Sequence, residues 1–217
     1  IELFVLEGGW TGTEDIDSPT NNGQSHRLGF GTWAVNKVRF PNGLKAISDR
    51  VHSYGMKFGL WIEPESVFPL NEIEEKHPDW IVGYDNRDPE IMGIGCYSLN
   101  MANDEACEYI TNVLINLISE NGIDYIKNDF NRANTHLGWR GEEIKHQKEA
   151  WDKYVRNMWK CYDTVKERFP NLIFENSAGG GKRTDLGMLK FAGRMHRSDN
   201  QDPVDSLRMH EGFTYLL

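Results

Sequence analysis

The chain has only three cysteines in 217 residues, and no two of them stand in a C-x-x-C pair. That scarcity argues against a disulfide scaffold or a thiolate zinc site. Cys96, Cys107 and Cys161 are expected as buried thiols in a reducing compartment, which favours the cytoplasm. No apolar run is long enough to cross a bilayer, so no membrane partner is expected. Positive charge is in deficit as well. The 24 Lys and Arg against 33 Asp and Glu leave a net charge of −9, the wrong sign for gripping a nucleic-acid backbone. His26, His52, His77, His136, His146, His196 and His210 show neither H-x-H nor H-E-x-x-H spacing, so no metal and no other cofactor is expected. Internal repeats, low-complexity tracts and linkers are missing too, which leaves one domain over residues 1–217. The chain opens on Ile rather than Met, and the expectation is a domain truncated at both ends.

What is present is a recurring alternation. Six short apolar runs appear at Leu3–Glu7, Lys57–Glu63, Cys96–Asn100, Ile123–Asp129, Leu172–Glu175 and Arg194–Ser198. Segments of helical periodicity fall near 42–54, 103–121, 143–169 and 184–192, and another begins near 203. In 103–121, Ala106, Tyr109, Ile110, Val113, Leu114, Leu117 and Ile118 form one stripe, with Asn103 as N-cap and Gly122 as stop. In 143–169 the stripe reads Trp151, Tyr154, Val155, Met158, Tyr162, Val165 and Phe169, expected as core. Alternating strand and helix means a parallel sheet, open or closed. Glu7, Glu63, Asn100, Asp129, Glu175 and Asp199 each sit at or just past the end of a separate run. Polar groups at the ends of many strands favour a (β/α)₈ TIM barrel over an open sheet, which gathers its ligands at one switch point. About six of eight βα units are expected in this chain, with the last two beyond Leu217.

The stretch "YIKNDFNR", residues 125–132, begins as core and ends in a cation, a carboxylate, an amide and a guanidinium. Asp129 there and Asp199 in "HRSDNQD" supply two carboxylates at strand ends, the equipment of glycoside hydrolysis. Side chains two apart on a strand share a face, so Lys127 and Asn131 flank Asp129, able to bind sugar hydroxyls and keep it ionised. Glu63 in "WIEPE" either orients Lys127 or makes a structural hydrogen bond. Arg197 either binds sugar, pairs with Asp199 or belongs to a structural ion pair. Asp202 caps a helix starting at Pro203. The glycine run 179–181 lacks a following G-K-[ST] and is expected to let backbone approach a ligand closely.

Several of these motifs carry a family resemblance. "YIKNDFNR" resembles the "YIKWDMNR" of the family 36 glycoside hydrolases, microbial α-galactosidases of the melibiase type. "GLWIEPESV" resembles their "GLWFEPEMV", and "HRSDNQDPVDSLRM" their "WTSDNTDAIDRLKI". "FENSAGGGKRTDLGML" is similar to "EGCSGGGGRFDLGML", and "RFPNGLKAISDRVHSYGMKFG" to the segment after their first strand. The order is the same throughout. The resemblance implies a retaining double displacement on a terminal α-galactoside, carried on an oligosaccharide or glycoconjugate. It makes Asp129 the nucleophile and Asp199 the acid/base. Lys127 and Asn131 would hold the sugar, Trp61 would form part of its platform, and Glu7, Ser177, Gly179 and Arg197 would complete the binding shell. Family members build part of the pocket from other domains and subunits, which is compatible with a homo-oligomeric full-length protein.

This chain departs from that pattern in the shell that reads the sugar. The family's "LDDGW" is "LEGGW" here, so Glu7 stands for one hydroxyl-binding aspartate and Gly8 removes the other. The tryptophan before the nucleophile is Asn128, and the cysteine near the 2-hydroxyl is Ser177, followed by Ala178. The catalytic pair is unchanged. An altered sugar is therefore an open alternative, namely an α-N-acetylgalactosaminidase, as is a noncatalytic carbohydrate-binding barrel.

Overall fold

The structure is a computed structural model and describes residues 1–12, 28–91, 95–131 and 134–215. Along the chain run β1 (Leu3–Leu6), α1 (Gly43–Ser53), β2 (Lys57–Ile62), β3 (Ser66–Val67), α2 (Glu72–Lys76), β4 (Tyr97–Ser98), α3 (Asp104–Asn121) and β5 (Tyr125–Asn128). They are followed by α4 (Glu149–Arg168), β6 (Ile173–Asn176), the single turn α5 (Ala178–Gly181), β7 (Arg194–Met195) and α6 (Pro203–Thr214). A five-stranded sheet runs β1-β2-β5-β6-β7, and every neighbouring pair in it is parallel. Among the described residues the strand order never reverses, so this sheet has no switch point. This is the wall of a partial α/β barrel.

The helices form where periodicity and caps coincide. Asn103 accepts from the backbone N–H groups of Glu105 and Ala106, and Gly122 ends α3 in the left-handed conformation. Ile110, Leu114, Leu117 and Ile118 on α3 are buried, as are Tyr154, Met158, Tyr162 and Val165 on α4, which packs beside it. Asp202 caps α6 through the N–H groups of Val204 and Asp205, with Pro203 opening the helix.

Three expectations need correction. The run Cys96–Asn100 does not enter the parallel sheet: Tyr97–Ser98 pairs antiparallel with Ser66–Val67 in a separate two-stranded sheet. Its apolar residues are buried all the same, which is why the run reads like a barrel strand. The segment 184–192 holds only the 3₁₀ turn Met188–Lys190. Gly187 lies so close to Trp159 that a Cβ there would fall 2.3 Å from the indole, so tight packing rather than helical propensity shapes this stretch. On α4, Trp151 and Val155 are exposed, whereas Ala150, Asn157 and Cys161 are buried. The buried face is centred one column away from where the bulky residue types placed it.

Candidate active site

Register places several of the candidate residues in one row. Trp61 on β2 is paired with Lys127 on β5, Lys127 with Glu175 on β6, and Glu175 with Arg194 on β7. Glu7 follows directly on Leu6, the last paired residue of β1. Residues one position along face the other way: Asn128 is fully buried, and its Nδ2 donates to the Tyr162 hydroxyl on α4 at 3.1 Å. The strict alternation of a strand thus separates polar groups aimed at the mouth from polar groups that brace the helices.

Asp129 stands one residue past β5 and is enclosed. Its Oδ1 accepts from the backbone N–H of Phe130 at 2.8 Å and of Gly179 at 2.7 Å. Its Oδ2 accepts from Trp61 Nε1 at 3.1 Å and Asn131 Nδ2 at 2.7 Å. Burial by itself would push this carboxyl up, but the donors from Gly179, Trp61, Phe130 and Asn131 outweigh it and hold Asp129 below the usual carboxylate range. The result is an anion kept charged by neutral donors, with no cation touching it among the described residues.

The residues expected around Asp129 are there, with specific tasks. Asn131 Nδ2 is shared between Asp129 and Glu63 Oε2, the latter at 3.1 Å, and the Asn131 backbone N–H donates to Glu63 Oε1 at 2.6 Å. Glu63 therefore orients Asn131, not Lys127. It is fully buried, and burial pushes its carboxyl from the usual 4.5 up to about 7. Lys127 instead reaches across the mouth to Glu7, Nζ to Oε1, at 2.6 Å. Trp61 packs its ring against Phe30 and Trp33, and its carbonyl accepts from Trp10 Nε1 at 2.8 Å. Gly8 lies over that ring, where a Cβ would stand 3.5 Å from Trp61 Cε3.

The turn after β6 links the two aspartates. Ala178, Gly179, Gly180 and Gly181 all have positive φ, at 50°, 60°, 80° and 98°. Such a run is strained at the alanine and open to the glycines. It turns the Gly179 N–H onto Asp129, while a Cβ on Gly180 would lie 3.2 Å from the Asp199 nitrogen. The glycines let this turn touch the Asp129 loop and the Asp199 loop at once. Ser177 is buried next to it, and its hydroxyl has no hydrogen-bond partner among the described residues. Asp199 itself is exposed, and its partner is His196, Nε2 to Oδ1 at 3.0 Å. No ion pair between Arg197 and Asp199 forms; Arg197 Nη1 is buried and unpartnered among the described residues.

Sequence reasoning missed a buried ion pair that backs this turn. Arg183, two residues past α5, meets Glu65 with both terminal nitrogens, at 2.5 and 2.6 Å. Tyr154 on α4 donates its hydroxyl to the same carboxylate, and the Arg183 guanidinium lies 4.2 Å from the centre of the Phe130 ring. The second Glu of "EPE" was the available signal, since a carboxylate inside an apolar run requires a partner.

A partial parallel barrel with an enclosed aspartate one residue past β5 and an exposed one past β7 has the architecture of an α/β barrel whose polar groups collect at its C-terminal face. The chain belongs to the Melibiase family, whose model matches residues 1–217. It is 36% identical to the α-galactosidase AgaA of Geobacillus stearothermophilus over 98% of this chain and 28% of that protein. With α-galactosidase 2 of Pediococcus pentosaceus it shares 34% identity over 100% of this chain and 29% of the relative. Crystal structures of AgaA variants, one in complex with 1-deoxygalactonojirimycin and one with raffinose, superpose with TM-score 0.88 at 35% identity, covering 98% of this chain and 28% of theirs. The chain thus spans under a third of the length of these relatives.

Proposed function

We propose that this chain carries the catalytic centre of a retaining α-galactosidase, with Asp129 as nucleophile and Asp199 as acid/base. The observation that carries the reading is the set of four donors on Asp129, which keeps a buried carboxylate anionic and aims it at the mouth. Family membership and the relatives named for α-galactosidase activity support the substrate class.

In the first half-reaction Asp129 attacks the anomeric carbon while Asp199 gives its proton to the departing glycosidic oxygen. In the second, the Asp199 carboxylate takes a proton from water, and that water displaces the sugar from Asp129. Lys127 and Glu7, paired across the mouth, offer a cation and an acceptor to sugar hydroxyls, with Trp61, Asn131, Ser177, Gly179 and Arg197 around them. The substrate is an oligosaccharide or glycoconjugate ending in an α-galactosyl-type sugar. The retaining geometry requires the two carboxyl groups about 5–5.5 Å apart in the ligand-bound protein.

The experiment uses the intact protein with Asp129→Ala and azide. A small anion that replaces the missing nucleophile attacks once and inverts, so an α-galactoside should yield the β-galactosyl azide and recover turnover. Failure of azide to restore any activity, with Asp129→Ala still hydrolysing at the parent rate, rejects the assignment. Parallel assays on 4-nitrophenyl α-galactoside and α-N-acetylgalactosaminide decide the sugar. A noncatalytic barrel would bind one of them without turning either over.

A further inference from the structure

Asp199 poses a problem that Asp129 does not. Its side chain is 69% exposed, and an exposed carboxyl is free to rotate away from a leaving group. Misplacement of a proton donor by about 1 Å can cost on the order of 100-fold. The side chain that meets it is His196, which the spacing of the histidines gave no reason to single out.

His196 is itself held from two sides. Its backbone N–H donates to the Asn176 carbonyl at 2.8 Å, tying it to the end of β6. Its ring lies between two carboxylates: Nε2 is 3.0 Å from Asp199 Oδ1, and Nδ1 is 3.5 Å from Glu175 Oε1. Glu175 is anchored in turn, accepting from the Tyr125 hydroxyl and lying 3.4 Å from Arg194 Nε. From the barrel interior out to the rim runs one chain: Tyr125, Glu175, His196, Asp199.

We propose that His196 is a positioning residue for the acid/base, fixing one oxygen of Asp199 against the buried Glu175 and leaving the other oxygen for the glycosidic oxygen. The inference rests on the acid/base reading of Asp199 given above. With Nε2–H donating to Oδ1, the Asp199 proton resides on Oδ2. On the far side of the ring Nδ1 faces the buried Glu175 carboxyl at 3.5 Å, which limits rotation of the imidazole. When Asp199 gives its Oδ2 proton to the leaving oxygen, the C–O bond electrons stay with that oxygen. The new Asp199 carboxylate keeps the Nε2–H bond. Water returns the proton in the second half-reaction, so His196 ends each cycle as it began.

The test compares kcat/KM on two α-galactosides in the intact protein, one with a 2,4-dinitrophenyl and one with a methyl leaving group. Only the methyl substrate needs a well-placed proton. Three variants are measured: Asp199→Ala, His196→Phe, which fills the space without a donor, and His196→Gln, which keeps an N–H. Asp199→Ala should lose far more on the methyl substrate than on the dinitrophenyl one. His196→Phe should show a smaller version of that split, about 10- to 100-fold on methyl against less than about 3-fold on dinitrophenyl. His196→Gln should recover most of the loss. Equal losses on both substrates for His196→Phe, or none, overturn the positioning role while a split in Asp199→Ala leaves the acid/base reading intact. Absence of a split in Asp199→Ala removes that reading and this inference with it.

Discussion

The two aspartates at the barrel mouth live in opposite surroundings. Asp129 is 7% exposed and receives four hydrogen bonds, whereas the Asp199 side chain is 69% exposed and meets one histidine. The difference follows from where each stands. Asp129 ends a strand with neighbours on both sides, so β2, the turn after β6 and its own loop all reach it. Asp199 follows β7, the last strand of the described sheet, and has a neighbour on one side only. The comparison teaches how one residue type can serve two roles: a nucleophile needs a charge stabilised in advance, and an acid/base needs a proton that can leave and return.

Breaking the enclosed side should have the largest effect. Asp129→Asn, which preserves shape, is expected to lose about 10⁴-fold or more in kcat, read from steady-state rates on the dinitrophenyl substrate. Breaking the open side comes next. Asp199→Ala should lose about 10²–10⁴-fold on the methyl substrate and much less on the dinitrophenyl one. Equal losses would mean that the two aspartates do not divide the work as described.

The support behind Asp129 predicts a pH effect on stability. Glu63 ionises near 4.5 in the unfolded chain and at about 7 in the folded one. Between those values the folded state holds a proton that the unfolded state has released, so the Glu63 contribution falls as pH rises through the window and levels off above about 7. The change is on the order of 3 kcal/mol. Glu63→Gln carries no such titration, and the difference in denaturation midpoint between variant and parent should therefore shift in the variant's favour from pH 4.5 to 7. A difference that stays flat with pH would mean that Glu63 is ionised throughout.

Gly180→Ala tests the contact between the two sides. With φ at 80° and a Cβ 3.2 Å from the Asp199 nitrogen, the alanine should cost about 1–2 kcal/mol and separate the loops, lowering activity as well as Tm. At the small end, Trp151→Gln on the exposed flank of α4 should change stability by no more than about 0.5 kcal/mol. A loss of several kcal/mol would restore Trp151 to the core.

Much of this was legible in the residues. Helix α3 and its caps, the cap of α6, the barrel class and the position of Asp129 all follow from local pattern, because periodicity and capping are set within a few residues. The parity of β5 likewise placed Lys127 on the face that meets the mouth. What pattern does not contain is which neighbour lies across the next strand, since register depends on crossovers tens of residues long. So pattern leaves Glu63 open between orienting Lys127 and a structural hydrogen bond, where the fold gives it Asn131, and it offers Arg197 as a partner for Asp199, where His196 takes that place. The Cys96–Asn100 run misled for a related reason: burial dictates apolar residues, and a buried strand of the small antiparallel sheet carries the same signature as a barrel strand.

The central claim is that Asp129 forms the bond to the sugar. A fluorinated galactosyl substrate that forms the covalent intermediate quickly and releases it slowly can trap that bond in the intact protein. Mass spectrometry of the digested protein then locates the label. A single adduct on the peptide containing Asp129, absent from Asp129→Asn, is the result expected. Label on another carboxylate, or an inverted product formed with no adduct at all, would contradict it.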